Sequence, residues 1–210
     1  MNRRIRHAAV LLSLAGLLLT TAGCSIIGVF SHVLNPPRVD PLYVPAKTMP
    51  MLVLVENRQN PGMLIPEAEE LANYIGRELE GKDVAPMVSP TKVQELRDRD
   101  PQAARMMSIS ALGREVGAGQ VLYVDVVNLQ ATEVVGMPTT GSAELRVHVV
   151  DAQSGRTLWP TESYLVRYES TGTQDFESGR ERGLREKVLR GAAIRVARLF
   201  YRWDPAEEEK

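Results

Sequence analysis

Apolar residues in the first part of the folded region occur first as a continuous run and then at helical spacing. Met51–Val55 is apolar throughout, which is typical of a strand covered on both faces. A turn-forming stretch follows, and Pro66 then stands where helices favour their first residue. The helix is predicted to end at Gly81, and its inward stripe consists of Ala68, Leu71, Ile75 and Leu79.

The next segments are shorter. Val84–Val88 predicts a second strand, and Ser89-Pro90 predicts the start of a short helix with Val93 and Leu96 inside. A third helix is predicted over Met106–Val116. These elements connect the first strand to the rest of the sheet.

Alternating apolar and polar residues then predict three strands separated by turns. The strands are Gln120–Gln130, Ala143–Asp151 and Thr157–Tyr168, with turns at Met137–Gly141 and Ala152–Gly155. Strands joined this closely are expected to be antiparallel neighbours. A last helix is predicted over Ser178–Trp203. Its stripe comprises Leu184, Val188, Ala192, Val196, Leu199, Phe200 and Trp203.

The predicted order is therefore β-α-β-α-α-β-β-β-α. The first crossover predicts a parallel strand pair, and the last three strands predict a meander in the same sheet. The fold class is α/β: a single layered domain in which helices cover a mixed sheet of about five strands.

The first 24 residues combine a basic, an apolar and a small-residue segment. Three arginines precede an apolar stretch, Ala8–Leu19, which is too short to cross a bilayer as a helix. Small residues then lead to Gly23-Cys24, and Cys24 is the only cysteine of the chain. This layout resembles the signal of an exported bacterial lipoprotein. The resemblance implies cleavage between Gly23 and Cys24 and acylation of Cys24. Several acyl chains on Cys24 would anchor the protein stably in a bilayer. Ser25, in place of Asp, favours the periplasmic face of the outer membrane.

Proline distinguishes the segment that follows the cysteine. Five prolines lie between residues 25 and 50, which disfavours helix and favours an extended tether. Leu42, Tyr43 and Val44 are expected to dock onto the domain. The predicted organisation is a signal peptide over 1–23, a lipidated tether over 24–49, a periplasmic α/β domain over 50–204 and an acidic tail over 205–210.

Charge excludes several function classes. Removing the three leader arginines from 25 basic residues leaves 22, against 26 acidic residues. A nucleic-acid-binding protein is expected to carry a basic face, so nucleic acid is not an expected partner. No pair of histidines or thiolates has zinc-ligand spacing, so neither a metal nor another cofactor is expected.

Two sequence stretches resemble those of a known group of envelope proteins. The first stretch is similar to a helix-to-strand motif and reads Leu112-Gly113-Arg114-Glu115-Val116-Gly117-Ala118-Gly119-Gln120-Val121-Leu122. The second stretch is similar to a hairpin motif and reads Val149-Val150-Asp151-Ala152-Gln153-Ser154-Gly155-Arg156-Thr157-Leu158-Trp159. Both motifs occur in penicillin-binding-protein activator lipoproteins, curli secretion lipoproteins and the N-terminal domain of the Tol β-propeller protein. The resemblance implies a non-catalytic adaptor that acts by contact.

The residues themselves offer little catalytic chemistry. No Gly-x-Ser-x-Gly elbow is present, and His148 on a strand is expected to be a surface residue rather than part of a triad. The glycines around Gly117 end a helix and precede a strand, which favours a capping role over a phosphate loop. Asp125 is the most interesting carboxylate, and we expect it to face solvent or to bond a neighbouring backbone.

The sequence thus predicts a non-enzymatic, lipid-anchored adaptor or activator that binds an envelope protein. An envelope hydrolase using carboxylates and a self-associating structural lipoprotein remain open alternatives. Three polar loops, Asn57–Gly62, Val135–Gly141 and Ser170–Asp175, are candidate contact surfaces, with plain connection as the default interpretation of each. The expected contact residues are Asn57, Arg58, Gln59, Asn60, Met137, Thr139, Thr140, Thr173 and Gln174.

Overall fold

A computed structural model describes residues 38–57, 66–132, 139–172 and 180–207. The strands are β1 (Met51–Glu56), β2 (Met87–Val88), β3 (Gln120–Thr132), β4 (Thr139–Asp151) and β5 (Thr157–Gly172). The helices are α1 (Pro66–Gly81), α2 (Thr91–Arg99), α3 (Pro101–Met106), α4 (Ile109–Glu115) and α5 (Arg180–Ala197), followed by a 3₁₀ turn at Pro205–Glu207.

The five strands form one mixed sheet in the order β2-β1-β3-β4-β5. β1 pairs in parallel with β2 and β3, whereas β3, β4 and β5 pair antiparallel. The predicted α/β class, parallel pair and meander are therefore confirmed.

Helices cover the two faces of the sheet unequally. On one face, α1 and α5 pack on β1, β3 and β4 around a large apolar core that includes Val53, Leu122 and Leu145. On the other face, α2 and α4 pack over β1, β2 and the beginning of β3 in a smaller core around Leu52, Leu54 and Val121. The continuous apolar run of β1 is explained by this burial, since alternate residues enter different cores.

Several element boundaries differ from the prediction. The second strand is only Met87–Val88, and the last helix ends at Ala197, six residues before Trp203. All three meander strands are longer than predicted, so Thr139–Gly141 and Ser170–Gly172 are strand rather than loop. These polar residues are paired by backbone hydrogen bonds to neighbouring strands. The alternation of apolar and polar residues did not predict this pairing.

The helix predicted over Met106–Val116 is observed as α4, Ile109–Glu115, and α3, Pro101–Met106, is an additional helix that was not predicted. Asp100 caps α3 by accepting from the Ala103 N–H at 2.9 Å, and Ser108 caps α4 by accepting from the Ala111 N–H at 3.2 Å. Met107 between them is extended, which breaks the helix. The break allows α3 and α4 to turn around the edge of the smaller core.

Glycines determine how α4 joins the sheet. A Cβ on Gly113 would lie 2.5 Å from Val121 Cγ2, so any larger residue there would force the helix or the Val121 side chain to shift. Gly117 then adopts φ of 82°, in the left-handed region, where the chain leaves α4 for β3. The predicted capping role is confirmed for Gly117, whereas Gly113 lies within α4 and is a packing position.

The chain divides into two compact units, Pro41–Tyr201 and a smaller one that joins the segment up to Asp40 to residues from Arg202 onward. In the smaller unit, Val39 and Trp203 form an isolated antiparallel bridge with N–H to O distances of 2.9 and 3.2 Å. In the same unit, the Arg202 Nε–H donates to Asp40 Oδ1 at 2.7 Å.

Candidate functional site

A row of four charged side chains crosses the sheet where β1 ends. Glu56 of β1 lies opposite Asp125 of β3, which lies opposite Arg146 of β4. Arg97 of α2 donates from Nη2 to Glu56 Oε1, and Arg146 donates from Nη1 to Asp125 Oδ2 at 3.2 Å. Two carboxylates thus occupy adjacent strands, and each has an arginine on its outer side. We call these four residues the charged row.

The carboxylates of the charged row are more buried than the arginines. The side chains of Glu56 and Asp125 are 16% and 6% exposed, against 21% for Arg97 and 35% for Arg146. The expectation that Asp125 faces solvent is wrong. Asp125 is only 4% exposed in the sheet, where it accepts from Arg146.

Burial changes the protonation of Glu56. Removal of the carboxylate from water raises its pKa above 4.5, and the neighbouring charge of Asp125 raises it further. The Arg97 guanidinium lowers the pKa but does not offset the burial. Glu56 therefore binds a proton more readily than an exposed glutamate.

Next to the charged row, the face of β4 and β5 opposite α1 and α5 carries partly exposed side chains. Glu144 lies opposite Arg167, and the Arg167 Nε–H donates to its carboxylate at 3.0 Å. Leu165 lies opposite Arg146 and is 38% exposed. We call Glu144, Arg146, Leu165 and Arg167 the open face. Its side chains are available at the surface on the face opposite α1 and α5.

A cavity of about 330 Å³ adjoins the charged row beneath α2, α3 and α4. Its apolar wall consists of Ala104, Met107, Ile109 and Leu112. Its polar wall includes both members of the Glu56–Arg97 pair, with Arg105 from α3.

A second cavity, of about 470 Å³, lies on the other face beside Asn57, Val126 and Val188. Arg185 lines this cavity and pairs with Glu70 at 3.0 Å and with Glu67 at 3.5 Å. The charge of Arg185 is thus already paired with two carboxylates.

The amino end of β1 is built differently. The Leu42 and Tyr43 N–H groups donate to the Leu199 carbonyl at 2.8 and 3.1 Å, and the Tyr43 ring stacks on Trp159 at 6.0 Å. Docking is confirmed for Tyr43, which packs on the large core. It is wrong for the side chains of Leu42 and Val44, which are 53% and 68% exposed.

Gln120 fixes the backbone at the same end. Its side-chain amide, fully buried, donates to the Ala46 carbonyl at 3.1 Å and to the Met49 carbonyl at 2.9 Å. The segment that precedes β1 is thereby attached to the first residue of β3.

Of the predicted contact residues, the structure describes Asn57, Thr139 and Thr140, and these three do not lie in one place. Asn57 directly follows Glu56, whereas Thr140 lies six positions along β4 from Arg146, about 20 Å farther out. Thr139 and Thr140 are paired strand residues. The remaining predicted residues, Gly23, Cys24, Arg58, Gln59, Asn60, Met137, Thr173 and Gln174, lie outside the described residues.

Glu56, Arg97 and Arg146 were not predicted as site residues. The only sequence signal was that Glu56 ends an apolar run, and nothing in α2 marks Arg97 as its partner. His148 is half-buried, and its ring lies 6.4 Å from that of Tyr123. In the described part of the chain, no three His, Cys, Asp or Glu side chains are grouped to bind a metal. No described helix is both long and apolar enough to cross a membrane.

Comparison with known proteins yields structural similarity only. No family model and no curated protein sequence matches the chain. The chain is similar to lipoprotein GNA1162 from Neisseria meningitidis, with 15% identity over 70% of this chain and 97% of that one and a TM-score of 0.44. It is similar to the PelC dodecamer chain from Paraburkholderia phytofirmans, with 13% identity, coverage of 80% and 97%, and a TM-score of 0.41.

A minor lipoprotein from Acinetobacter baumannii is similar at 11% identity, with coverage of 71% and 89% and a TM-score of 0.39. Bacterial lipoproteins thus occur among the structural neighbours. At these scores the likeness assigns neither a family nor a function to this chain.

Proposed function

We propose that this chain is a lipid-anchored protein of the bacterial envelope that acts as an adaptor. Cys24 carries the lipid, and the open face binds a protein of the envelope. The proposal rests on one geometric observation: the tether docks at one end of β1, and the charged row lies at the other.

The anchor side of this arrangement begins with the leader and Cys24. Acyl chains on the cysteine hold the protein at a bilayer, at ~0.8 kcal/mol per buried methylene. The proline-rich tether then reaches the domain, and Tyr43 and Gln120 fix its last part at the amino end of β1.

The partner side lies at the opposite end. The five residue steps from Met51 to Glu56 span about 16 Å, so the charged row and the open face are on the end away from the docked tether. Glu144 and Arg167 offer both signs of charge around the exposed Leu165. Such a mixed surface, with an apolar centre and a charged rim, suits protein recognition.

The class of partner follows from the resemblance to activator lipoproteins. An enzyme of cell-wall synthesis or an envelope assembly complex is the proposed partner, and the periplasmic face of the outer membrane is the proposed location. Ser25 after the acylated cysteine supports that location.

The anchor is tested by Cys24→Ser followed by membrane fractionation. The mature variant is expected in the soluble periplasmic fraction, whereas the unchanged protein is expected with membranes. A processed variant that still sediments with outer membranes would contradict the lipid anchor.

The partner surface is tested with a matched pair of variants. Leu165→Glu is expected to lower recovery of crosslinked envelope partners at least severalfold. Ile194→Glu makes the same change on α5, where the side chain is equally exposed at 37%. Equal recovery with both variants would rule out the open face as the binding surface.

A hydrolase is the second candidate because Glu56 and Asp125 are adjacent carboxylates and the pKa of Glu56 is raised. A buried carboxylate with a raised pKa beside a second carboxylate is an arrangement that suits acid–base chemistry. Glu56→Gln and Asp125→Asn are each expected to abolish muropeptide release if the charged row is catalytic. Activity that persists in both variants, or that the unchanged protein lacks, would eliminate this candidate.

Self-association is a third candidate, since β5 is a 16-residue strand at the edge of the sheet. Such an edge can pair with another copy. If this candidate holds, light scattering of the Cys24→Ser chain is expected to give a multiple of the monomer mass. The monomer mass is 23.2 kDa less the mass of the removed leader. A monomer at all concentrations would exclude it.

A further inference from the structure

The cavity beside the charged row occupies the place where open α/β sheets commonly bind ligands. β1 leads to α1 on one face of the sheet, and the adjacent parallel strand β2 leads to α2 on the other. Connections that leave neighbouring strands toward opposite faces open a crevice at the carboxyl ends of those strands. Glu56 is the last residue of β1 and lines the cavity at this point.

The cavity is small and has two kinds of wall. Its volume of about 330 Å³ is at the lower end of the range for small-molecule sites. Met107, Ile109 and Leu112 can contact an apolar body, and Arg97 and Arg105 lie on the polar side. The occupant must therefore be compact, apolar over most of its surface and polar at one end.

The donors of the polar wall exceed its acceptors. Arginine has five N–H donors. Within the described residues, Arg97 uses one of them, on Nη2, for Glu56, and Arg105 makes no hydrogen bond or ion pair. Asp98 already accepts from Gln94 Nε2 at 2.8 Å. A ligand with acceptor oxygens would engage donors that the protein itself leaves unused.

We propose that this cavity binds a small organic anion in which one carboxylate is carried on a compact apolar body. The carboxylate bonds to the guanidinium groups of Arg97 and Arg105, and the apolar body lies against Met107, Ile109 and Leu112. Guanidinium and carboxylate match in geometry, and such charge-assisted pairs are strong. The Arg97 side chain is 21% exposed, whereas Arg105 is exposed. This inference does not depend on the lipid anchor or on the protein partner.

Binding is expected to be coupled to proton uptake. The groups that face Glu56 are Arg97 of α2 and Asp125 of β3, with Arg146 behind Asp125. A bound carboxylate competes for Arg97, so Glu56 loses part of its counter-charge while Asp125 remains beside it. The pKa of Glu56, already raised by burial, then rises further, and Glu56 takes up a proton.

The test uses three eight-carbon probes that differ only in the head group. Octanoate, octylamine and octanol are titrated calorimetrically into the chain from residue 24 with Cys24→Ser, without detergent. Octanoate is expected to bind at least tenfold more tightly than either other probe. At a pH above the pKa of Glu56, titrations in buffers of different ionisation enthalpy should show net proton uptake with octanoate.

A matched pair of variants locates the site. Arg105→Glu is expected to weaken octanoate binding roughly tenfold, because one charge-assisted bond is lost. Arg99→Glu reverses an exposed charge on α2 outside the cavity and should leave binding unchanged. Ala104→Met, checked for its fold by circular dichroism, should block all three probes by filling the cavity.

The proposal is overturned by any of three results. Octanoate binds no more tightly than octanol, octylamine binds best, or Arg105→Glu behaves like Arg99→Glu. Octanoate binding without proton uptake would overturn the coupling to Glu56.

Discussion

The two ends of the β1–β3 pair bury polar side chains in different ways. At the amino end, Met51 lies opposite Gln120, whose neutral amide bonds to two backbone carbonyls. At the carboxyl end, Glu56 lies opposite Asp125, and two like charges adjoin in the sheet. A neutral amide fixes a segment without responding to pH. Glu56, whose pKa is raised by burial and whose charge is paired with Arg97, responds to protons.

The same contrast extends to the side chains around each end. Phe200, Tyr43 and Trp159 form an aromatic cluster at the amino end, with ring centroids 5.9 to 6.3 Å apart. The carboxyl end has a cavity of about 330 Å³ and an open polar face. The amino end is therefore closely packed around aromatic rings, whereas the carboxyl end combines paired charges with a cavity.

The largest effect is expected from removing the aromatic centre of the amino end. Phe200 is 3% exposed and contacts both Tyr43 and Trp159. Phe200→Ala should lower the free energy of unfolding by about 3 kcal/mol, through lost apolar burial and the cavity that remains. Urea unfolding followed by tryptophan fluorescence measures the change. Phe200→Leu is the control and should lose less than half as much; equal losses would contradict the packing argument.

A smaller effect is expected from the amide that fixes the tether. Gln120→Leu removes two buried hydrogen bonds and leaves the Ala46 and Met49 carbonyls without that donor. Stability should fall by about 2 kcal/mol, and amide hydrogen exchange should quicken in residues 41–49. The same change at the exposed Gln153 should have no effect. Unaltered exchange in Gln120→Leu would show that other contacts hold the segment.

At the charged end, Asp125→Asn leaves Arg146 without its buried counter-ion. Because Arg146 is 35% exposed, water compensates part of the loss, and we expect a cost of about 1 kcal/mol. Arg146→Gln and the double variant complete a double-mutant cycle. A coupling energy near zero would mean that the pair at 3.2 Å contributes nothing to stability.

The smallest effect is confined to a pH window and concerns Glu56. The pKa of this residue is raised in the folded state, so folding favours its protonated form. Stability therefore falls as pH rises from about 4.5 to the raised pKa, by at most ~1.4 kcal/mol per pH unit. Glu56→Gln removes this dependence.

The measurement is the difference in unfolding free energy between Glu56→Gln and the unchanged protein across that window. Relative to the unchanged protein, the variant should gain stability as pH rises and should show no further gain above the folded-state pKa. A constant difference at every pH would mean that Glu56 titrates as it does in the unfolded chain.

Local patterns in the sequence were sufficient for the order of the elements. The stripe from Ala68 to Leu79, the uninterrupted run of β1 and the turn at Ala152–Gly155 each specify one structure through spacing or turn chemistry. In that turn, Asp151 accepts from the Ser154 N–H at 2.6 Å. These interactions lie within a few residues of one another, so the sequence alone determines them.

The charged row and the cavity depended on contacts between distant parts of the chain. Arg97 and Glu56 are 41 positions apart, and Arg146 and Asp125 are 21 apart. Strand register decides which polar side chain faces which, and the placement of α2 decides how deeply each is buried. A solvent-facing Asp125 was a reasonable prediction from alternation, but alternation does not say whether a helix covers that face.

The sequence by itself thus determined the α/β class, the element order and the predicted acylation pattern around Cys24. Tertiary structure alone decided that Glu56 and Asp125 meet, that Arg97 and Arg146 neutralise them, and that Gln120 fixes the segment before β1. The physical reason is range: helix and turn preferences act over a few residues, whereas desolvation and ion pairing depend on which residues folding brings together.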